Sequence, residues 1–375
     1  MSLQLLVDAE EFWRVLRADL RQARERVWVQ TLSLEGDTAG EPLARELIAS
    51  PATDRRLLVD AFCCHIISDR FIHSPRTRLR PELRAKVRAT ERMMRDLRTA
   101  GIRVGVTNPA GFLWHRLPAR DHRKFVLIGD HIAYIGGINF SEHNFAWHDL
   151  MIRIEQRDVA AFLRADFEAT WQNAPVNAVG RFSGLELHSL SGHGNEAMTE
   201  RTLEIIRGAR RSILAITPYL TFPFTDAMAE ARRRGARVTV LSPAINNRAS
   251  LRRYVHRLAR QHGFELRHYP GRMSHLKAML IDDQIVICGS TNFDWPTYHV
   301  LAETIAIIDD PDFVGEFKRR VVEPDMAASV PAVLDGNGFR GRYAELQHRV
   351  WAWGARTICY ARPGKRVRHL IPEFD

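Results

Sequence analysis

The sequence predicts an α/β protein built as two similar domains, each a mostly parallel sheet flanked by helices, with the pair packed about a pseudo-twofold axis. Two observations carry that prediction. A polar phrase is written twice, as His122-Arg123-Lys124 leading to Gly136-Gly137-Ile138-Asn139 and as His275-Leu276-Lys277 leading to Gly289-Ser290-Thr291-Asn292. Before each copy, apolar strands alternate with amphipathic helices in the same order. The length of 375 residues exceeds what one core usually serves, and 45% hydrophobic with 26% charged residues is ordinary for a folded α/β chain.

The elements follow in order. An amphipathic opening helix precedes an apolar strand over Arg26 to Leu34, a helix over Glu41 to Ile48 and a second strand over Leu57 to Phe62, which together read as a βαβ unit. A helix over Glu82 to Thr99 and a strand over Ile102 to Val106 lead to the first His-x-Lys strand. The second half repeats the plan: helix Thr202 to Ala209, strand Ser212 to Thr217, helix Thr225 to Arg234, strand Val238 to Leu241, helix Ala249 to Gln261 and strand Phe264 to His268. The two motif histidines are 153 residues apart, and the repeated order indicates duplication. After the helix Val159 to Gln172 the pattern breaks at Val176 to Gly180, which fits a boundary near Asn177 to Glu186, so the expected domains are 1–178, 179–338 and a basic, aromatic extension 339–375.

Composition narrows the partners. The net charge of +10 favours an anionic one. No apolar run reaches the roughly 18 to 20 residues that a bilayer span needs, and Asp8, Glu10 and Glu11 stand where a signal peptide would be basic. The expectation is a cytoplasmic protein peripherally associated with the inner face of the cell membrane. The four cysteines form no C-x-x-C pattern and read as reduced thiols.

Only five lysines stand among 54 basic residues, so with 16 histidines about 0.2 His-x-Lys triplets are expected by chance. Two in matching contexts therefore mark a site. Alternation along an extended chain points His122 and Lys124 one way and Arg123 another; His275, Lys277 and Leu276 follow the same rule. Two imidazoles and two ammonium groups converging about the twofold axis would suit a phosphodiester. One imidazole attacks phosphorus, the other protonates the leaving alcohol, and the lysines hold the non-bridging oxygens. Imidazole reaches both protonation states near neutral pH. Ser290, Asn139 and Asn292 offer polar contacts beside the glycine pairs. Asp149, 27 residues after His122, and Glu303, 28 after His275, are carboxylates able to accept an imidazole N–H and set its tautomer. Ammonium groups at the centre repel a cation, so no metal and no cofactor is expected.

At these residues the chain resembles the phospholipase D superfamily, whose motif is His-x-Lys, four residues, then Asp, with Gly-Gly or Gly-Ser and Asn downstream. The second copy matches through His275, Lys277, Asp282, Gly289, Ser290 and Asn292. The first departs: Gly129 holds the Asp position and Asp130 follows one residue later, which turns its side chain to the opposite face unless a bulge or turn restores it. Asp121-His122-Arg123-Lys124, Tyr134 to Ser141, Trp147-His148-Asp149, Thr217-Pro218-Tyr219 and Gly289 to Asp294 are similar to bacterial cardiolipin synthases.

That resemblance implies two phospholipase D-like domains and a phosphatidyl transfer from one phosphatidylglycerol to another, with glycerol released through a phosphohistidine. It implies His122 as nucleophile, His275 as acid and then base, and Lys124, Lys277 and Asp282 as further catalytic residues. Asn139, Asp149, Ser290, Asn292, Glu303 and Asp130 are the expected supporting residues. The implied partner is anionic phospholipid, phosphatidylglycerol, at a membrane surface. Two stretches suit docking there: Arg70 to Arg80, and Phe339 to Leu370 with Tyr343, Trp351, Trp353 and Tyr360 among Arg340, Arg342, Arg349, Arg356, Arg362 and Lys365. The alternatives are a phospholipase D hydrolase, a phosphodiesterase acting on nucleic acid, and a catalytically weakened phosphate-binding protein, the last motivated by Gly129.

Overall fold

The computed structural model describes residues 1–111, 114–334, 338–360 and 367–369. The chain separates into two compact units, one of residues 1–146, 150–176 and 363–375, the other of residues 147–149 and 177–362. The short segment Trp147–Asp149 thus belongs by its contacts to the second unit, although the chain on either side of it belongs to the first.

The first unit holds an eight-stranded sheet in the order Ser2–Val7, Leu150–Glu155, Ile132–Gly136, Phe125–Ile128, Arg26–Thr31, Asp54–Asp60, Arg103–Thr107 and Val367–His369. The strands Arg26–Thr31, Asp54–Asp60 and Arg103–Thr107 run parallel, linked by the helices Gly40–Ala49 and Pro81–Thr99. The other pairings are antiparallel. The strand Ser2–Val7 was not expected; it precedes the opening helix, Asp8–Gln22, whose Ala9, Phe12, Leu16 and Leu20 recur at helical spacing and are buried on the sheet.

The second unit repeats that plan. Its nine strands run Ala178–Phe182, Leu185–Ser191, Ala302–Ile308, Ile285–Gly289, Ala278–Ile281, Ser212–Ile216, Arg237–Pro243, Glu265–Tyr269 and Val330–Pro331. Again three are parallel, Ser212–Ile216, Arg237–Pro243 and Glu265–Tyr269. The sheets are therefore mixed: the parallel strands read from the sequence form one side, and β-hairpins complete the other. Apolar pattern alone cannot separate the two directions of pairing, because a strand covered on both faces reads as a continuous apolar run in either. The stretch Asn177 to Glu186, where the sequence places the domain boundary, carries most of a hairpin, Ala178–Phe182 with Leu185–Ser191.

Chain punctuation explains the helix ends. Pro81 opens the helix Pro81–Thr99, and Gly263, at φ +68°, closes Ala249–His262 in the left-handed conformation that a helix C-terminus favours. The supposed extension is largely a helix, Gly338–Tyr360, packed on Ala249–His262. Arg362, Lys365 and Leu370 lie outside the described residues. Among the described residues, no helix is long and apolar enough to cross a membrane.

Candidate active site

In each unit the His-x-Lys residues lie just ahead of a central strand, in extended lead-ins to Phe125–Ile128 and Ala278–Ile281. The alternation predicted for them holds there. His122, Lys124, His275 and Lys277 are all buried, both lysines to 1% exposure. Each lysine turns its ammonium back on its own motif: Lys124 Nζ donates to the His122 carbonyl at 2.6 Å, and Lys277 Nζ donates to that of His275.

Around His275 the second unit is fully furnished. Backbone bonds from His148 N–H to Met273 O (2.9 Å) and from His275 N–H to His148 O (2.7 Å) lay the segment Trp147–Asp149 beside the motif. The segment is clamped by His148, whose ring stacks on Tyr269 at 5.1 Å and whose Nε2 is 3.1 Å from Asp325 Oδ2. Asp149 Oδ2 comes to 2.7 Å from His275 Nδ1 and 3.5 Å from Lys277 Nζ. A carboxylate at Nδ1 keeps the proton there and leaves Nε2 for chemistry. The rings of Trp147 and Tyr219 flank the imidazole at centroid distances of 4.8 and 5.9 Å.

Lys277 Nζ lies 2.7 and 3.1 Å from the two ring nitrogens of His275. Burial draws its pKa below the usual lysine value, against the opposing pull of Asp149 and Glu303. A buried ammonium of this kind gains most from an anion placed against it. Glu303 is fully buried and accepts hydrogen bonds from Ser290 Oγ and from Thr297 Oγ1 (3.2 Å). Gly289 is required where it stands: at φ +141°, a Cβ there would meet Thr304 O at 2.2 Å. Asn292 is buried, and its Oδ1 has no hydrogen-bond partner among the described residues.

The first unit holds its motif through buried ion pairs. Asp60, at the end of its strand, accepts from the Asp121 N–H at 2.6 Å and from Arg120 Nη1 at 2.7 Å. Asp121 in turn accepts from Gln30 Nε2 (2.8 Å) and Arg123 Nη2 (2.9 Å), while Arg123 Nη1 reaches both oxygens of Asp166 at 2.7 Å. Arg123 therefore faces away from His122 and Lys124, as the alternation requires. Asn139 is buried, with its Oδ1 3.4 Å from Thr31 Oγ1 and its Nδ2 3.2 Å from Asn144 Oδ1.

Two expected site residues are elsewhere. Asp282 follows the strand Ala278–Ile281, at the opposite end from Lys277 and about 17 Å from it along an extended chain. Its carboxylate accepts the backbone N–H groups of Arg210, Arg211 and Ser212 at 2.7 to 3.2 Å. Burial pushes its pKa up, but those three donors outweigh it and hold the group below the ordinary aspartate value. Asp282 is thus a turn anchor remote from the imidazole. Asp130 is on the surface with His131 and Arg157, and the turn does not bring it back to the motif.

Gly129, at φ +61°, donates its N–H to Arg26 O at 2.9 Å, just as Asp282, at φ +52°, donates to Ser212 O at 2.8 Å. The exchange of Asp for Gly removes a carboxylate from a distant turn and nothing from around His122. Sequence reasoning missed Asp60, Arg120 and Asp166, and gave Trp147 and Tyr219 of its quoted motifs no place beside the imidazole. One signal was an acid closing the apolar run Leu57-Leu58-Val59.

The family described as "Cardiolipin synthase, PLD-like domain" matches residues 16–171 and 202–323. Cardiolipin synthase A of Yersinia pseudotuberculosis serotype O:1b is 25% identical over 381 aligned residues, covering 93% of this chain and 73% of that protein, and the protein of the same name from Yersinia pestis bv. Antiqua (strain Angola) matches equally. Among solved structures, the phosphatidylserine synthase of Haemophilus influenzae Rd KW20 superposes with a TM-score of 0.70 at 14% identity, over 95% of this chain and 94% of that one. The polyphosphate kinase of Porphyromonas gingivalis gives 0.58 at 14% identity, over 95% of this chain and 56% of its own. At that identity the structures speak for the fold, whereas the family match spans most of the sequence: the chain belongs to the phospholipase D-like family of cardiolipin synthases.

Proposed function

We propose that this phospholipase D-type phosphatidyltransferase joins two phosphatidylglycerol molecules into cardiolipin and releases glycerol. His122 Nε2 attacks the phosphorus of the first lipid, and the bond to its glycerol headgroup breaks. His275, protonated, gives its proton to the departing glycerol oxygen. A headgroup hydroxyl of the second lipid then loses its proton to His275 and attacks phosphorus, the phosphorus–nitrogen bond breaks, and His122 is restored. The buried ammonium groups of Lys124 and Lys277 offset the charge on the non-bridging oxygens.

The observation that carries this reading is the pairing of His275 Nδ1 with Asp149 at 2.7 Å beside a buried ammonium. It equips one imidazole to shuttle a proton through Nε2. The remote position of Gly129 removes the motive for a weakened, binding-only site. Mass spectrometry after incubation with phosphatidylglycerol tests the reaction: cardiolipin and glycerol are expected, and cleavage of DNA with lipid left intact would replace the proposal by a nuclease. His275→Ala should trap the phosphatidyl group on His122; label on His275 in His122→Ala would reverse the two roles.

A further inference from the structure

The helix Gly338–Tyr360 has two unlike faces. Gly341, Ala344, His348, Ala352 and Ala355 are buried. They form the side that packs on Ala249–His262, where Glu345 pairs with Arg257 at 2.9 Å, and on Trp295–His299, whose Trp295 indole N–H donates to His348 at 3.3 Å. On another side, Phe339, Tyr343, Leu346, Val350 and Trp353 recur at i, i+4, i+7, i+11 and i+14, a single stripe along the helix. These five side chains are 54 to 78% exposed. A continuous row of large apolar groups in water, about 21 Å of helix from Phe339 to Trp353, marks a surface that meets something.

Charge identifies the occupant. Arg342, Arg349 and Arg356 recur every seven residues along one edge of the stripe, and all three are exposed. The single acid of the helix, Glu345, is occupied by Arg257 and Arg349. Arg349 is also steadied over the Phe222 ring at 5.1 Å. Two copies of such a face paired with their helices antiparallel would set these cationic rows against each other. An anionic lipid surface accepts both parts, taking the apolar row into its acyl boundary and the guanidinium groups at its phosphates.

We propose that the Phe339–Trp353 face is the membrane-docking surface of this protein and lies flat on anionic phospholipid. The choice of lipid rests on the reading of the enzyme as one that acts on phospholipid. Docking of this kind keeps the protein at the surface that holds its substrate. Trp353 sits at the water–lipid boundary, where an amphipathic ring is favoured.

The experiment uses the full chain with sedimenting vesicles of phosphatidylcholine, with and without phosphatidylglycerol. Wild type should bind the anionic vesicles at least tenfold better than the neutral ones. The variant Leu346→Asp/Trp353→Asp should lose at least tenfold in binding and in turnover on vesicles, with an unchanged melting temperature and unchanged turnover on monomeric short-chain phosphatidylglycerol. A second variant, Arg342→Glu/Arg356→Glu, should lose the preference for anionic vesicles. Equal vesicle binding by wild type and the Leu346/Trp353 variant would overturn the proposal. So would a wild type that ignores vesicles, or one that is dimeric in solution where the variant is monomeric. Absence of cardiolipin synthesis on every substrate, with vesicle binding still lost in the variant, would support docking while rejecting the proposed reaction.

Discussion

Asp149 follows the first motif in the chain, yet its carboxylate lies 2.7 Å from Nδ1 of His275, the histidine of the second. The imidazole proposed as proton shuttle is therefore oriented by a residue encoded 126 positions earlier. Asp149→Asn keeps the shape and removes the charge, and should lower kcat about 10²- to 10⁴-fold with little change in KM. Steady-state kinetics on phosphatidylglycerol with a folding control checks this; a kcat within a factor of about three of wild type would remove Asp149 from the machinery.

The turn residues Asp282 and Gly129 should respond in opposite directions. Asp282→Gly suits the left-handed backbone but gives up the contacts to three N–H groups, and should cost about 1 to 3 kcal/mol of stability while leaving kcat within about threefold. Gly129→Asp adds the strain of a side chain at φ +61°, but among the described residues a Cβ there meets His131 at 3.6 Å and nothing nearer, and the carboxylate would offer the anchor that Asp282 supplies at φ +52°, so the change should be close to neutral or slightly stabilising. Thermal melts and kinetics on the two variants decide it. A large loss of kcat with unchanged stability in Asp282→Gly would restore Asp282 to the site.

Asp294 provides a pH signature. Burial, aided by nearby Glu303, raises its pKa from 3.8 to about 7, against the Thr297 N–H that it caps. A raised carboxyl pKa means that the folded state holds the proton more tightly than the unfolded one. This stability is complete below about pH 4 and is lost as pH rises through about 7. Asp294→Asn keeps an oxygen for Thr297 and should match wild type at pH 4 but melt higher at pH 8, with an upper limit of about 4 kcal/mol. A constant difference in melting temperature across that range would contradict the assignment.

Arg123 pairs with Asp121 and Asp166 in the interior of the first unit. Arg123→Met leaves two buried carboxylates without their cation and should cost about 3 to 5 kcal/mol. Adding Asp166→Asn should recover part of that loss, since one of the stranded charges is then removed. Denaturant titration of the single and double variants measures the recovery; an additive further loss would show that Arg123 is not the partner whose charge matters.

Much of the fold was legible because its elements are set by short-range pattern. The strand Arg237–Pro243 and the helix Ala249–His262 were recovered within two residues of the expected bounds, since their apolar periods and the closing Gly263 act over a few positions. The hairpins that make the sheets mixed were not, and neither was the opening strand Ser2–Val7: its partner Leu150–Glu155 lies more than 140 residues away in sequence. Asp282 was misplaced for a related reason. Motif spacing records that an aspartate stands five residues after Lys277, but a four-residue strand puts it at the end away from the lysine, where its partners are backbone N–H groups.

By itself the sequence determined the α/β class, the duplication, and that His122 with Lys124, and His275 with Lys277, lie on one side of the chain, because alternation along an extended chain settles which side chains share a face. Tertiary structure decided which carboxylate meets which imidazole, which acids serve only as anchors, and which face of the last helix stays exposed. Those outcomes depend on which distant segments come within hydrogen-bonding distance or cover one another. Linear spacing does not record them: the chain around Asp149 belongs to one unit, while Asp149 itself belongs to the other.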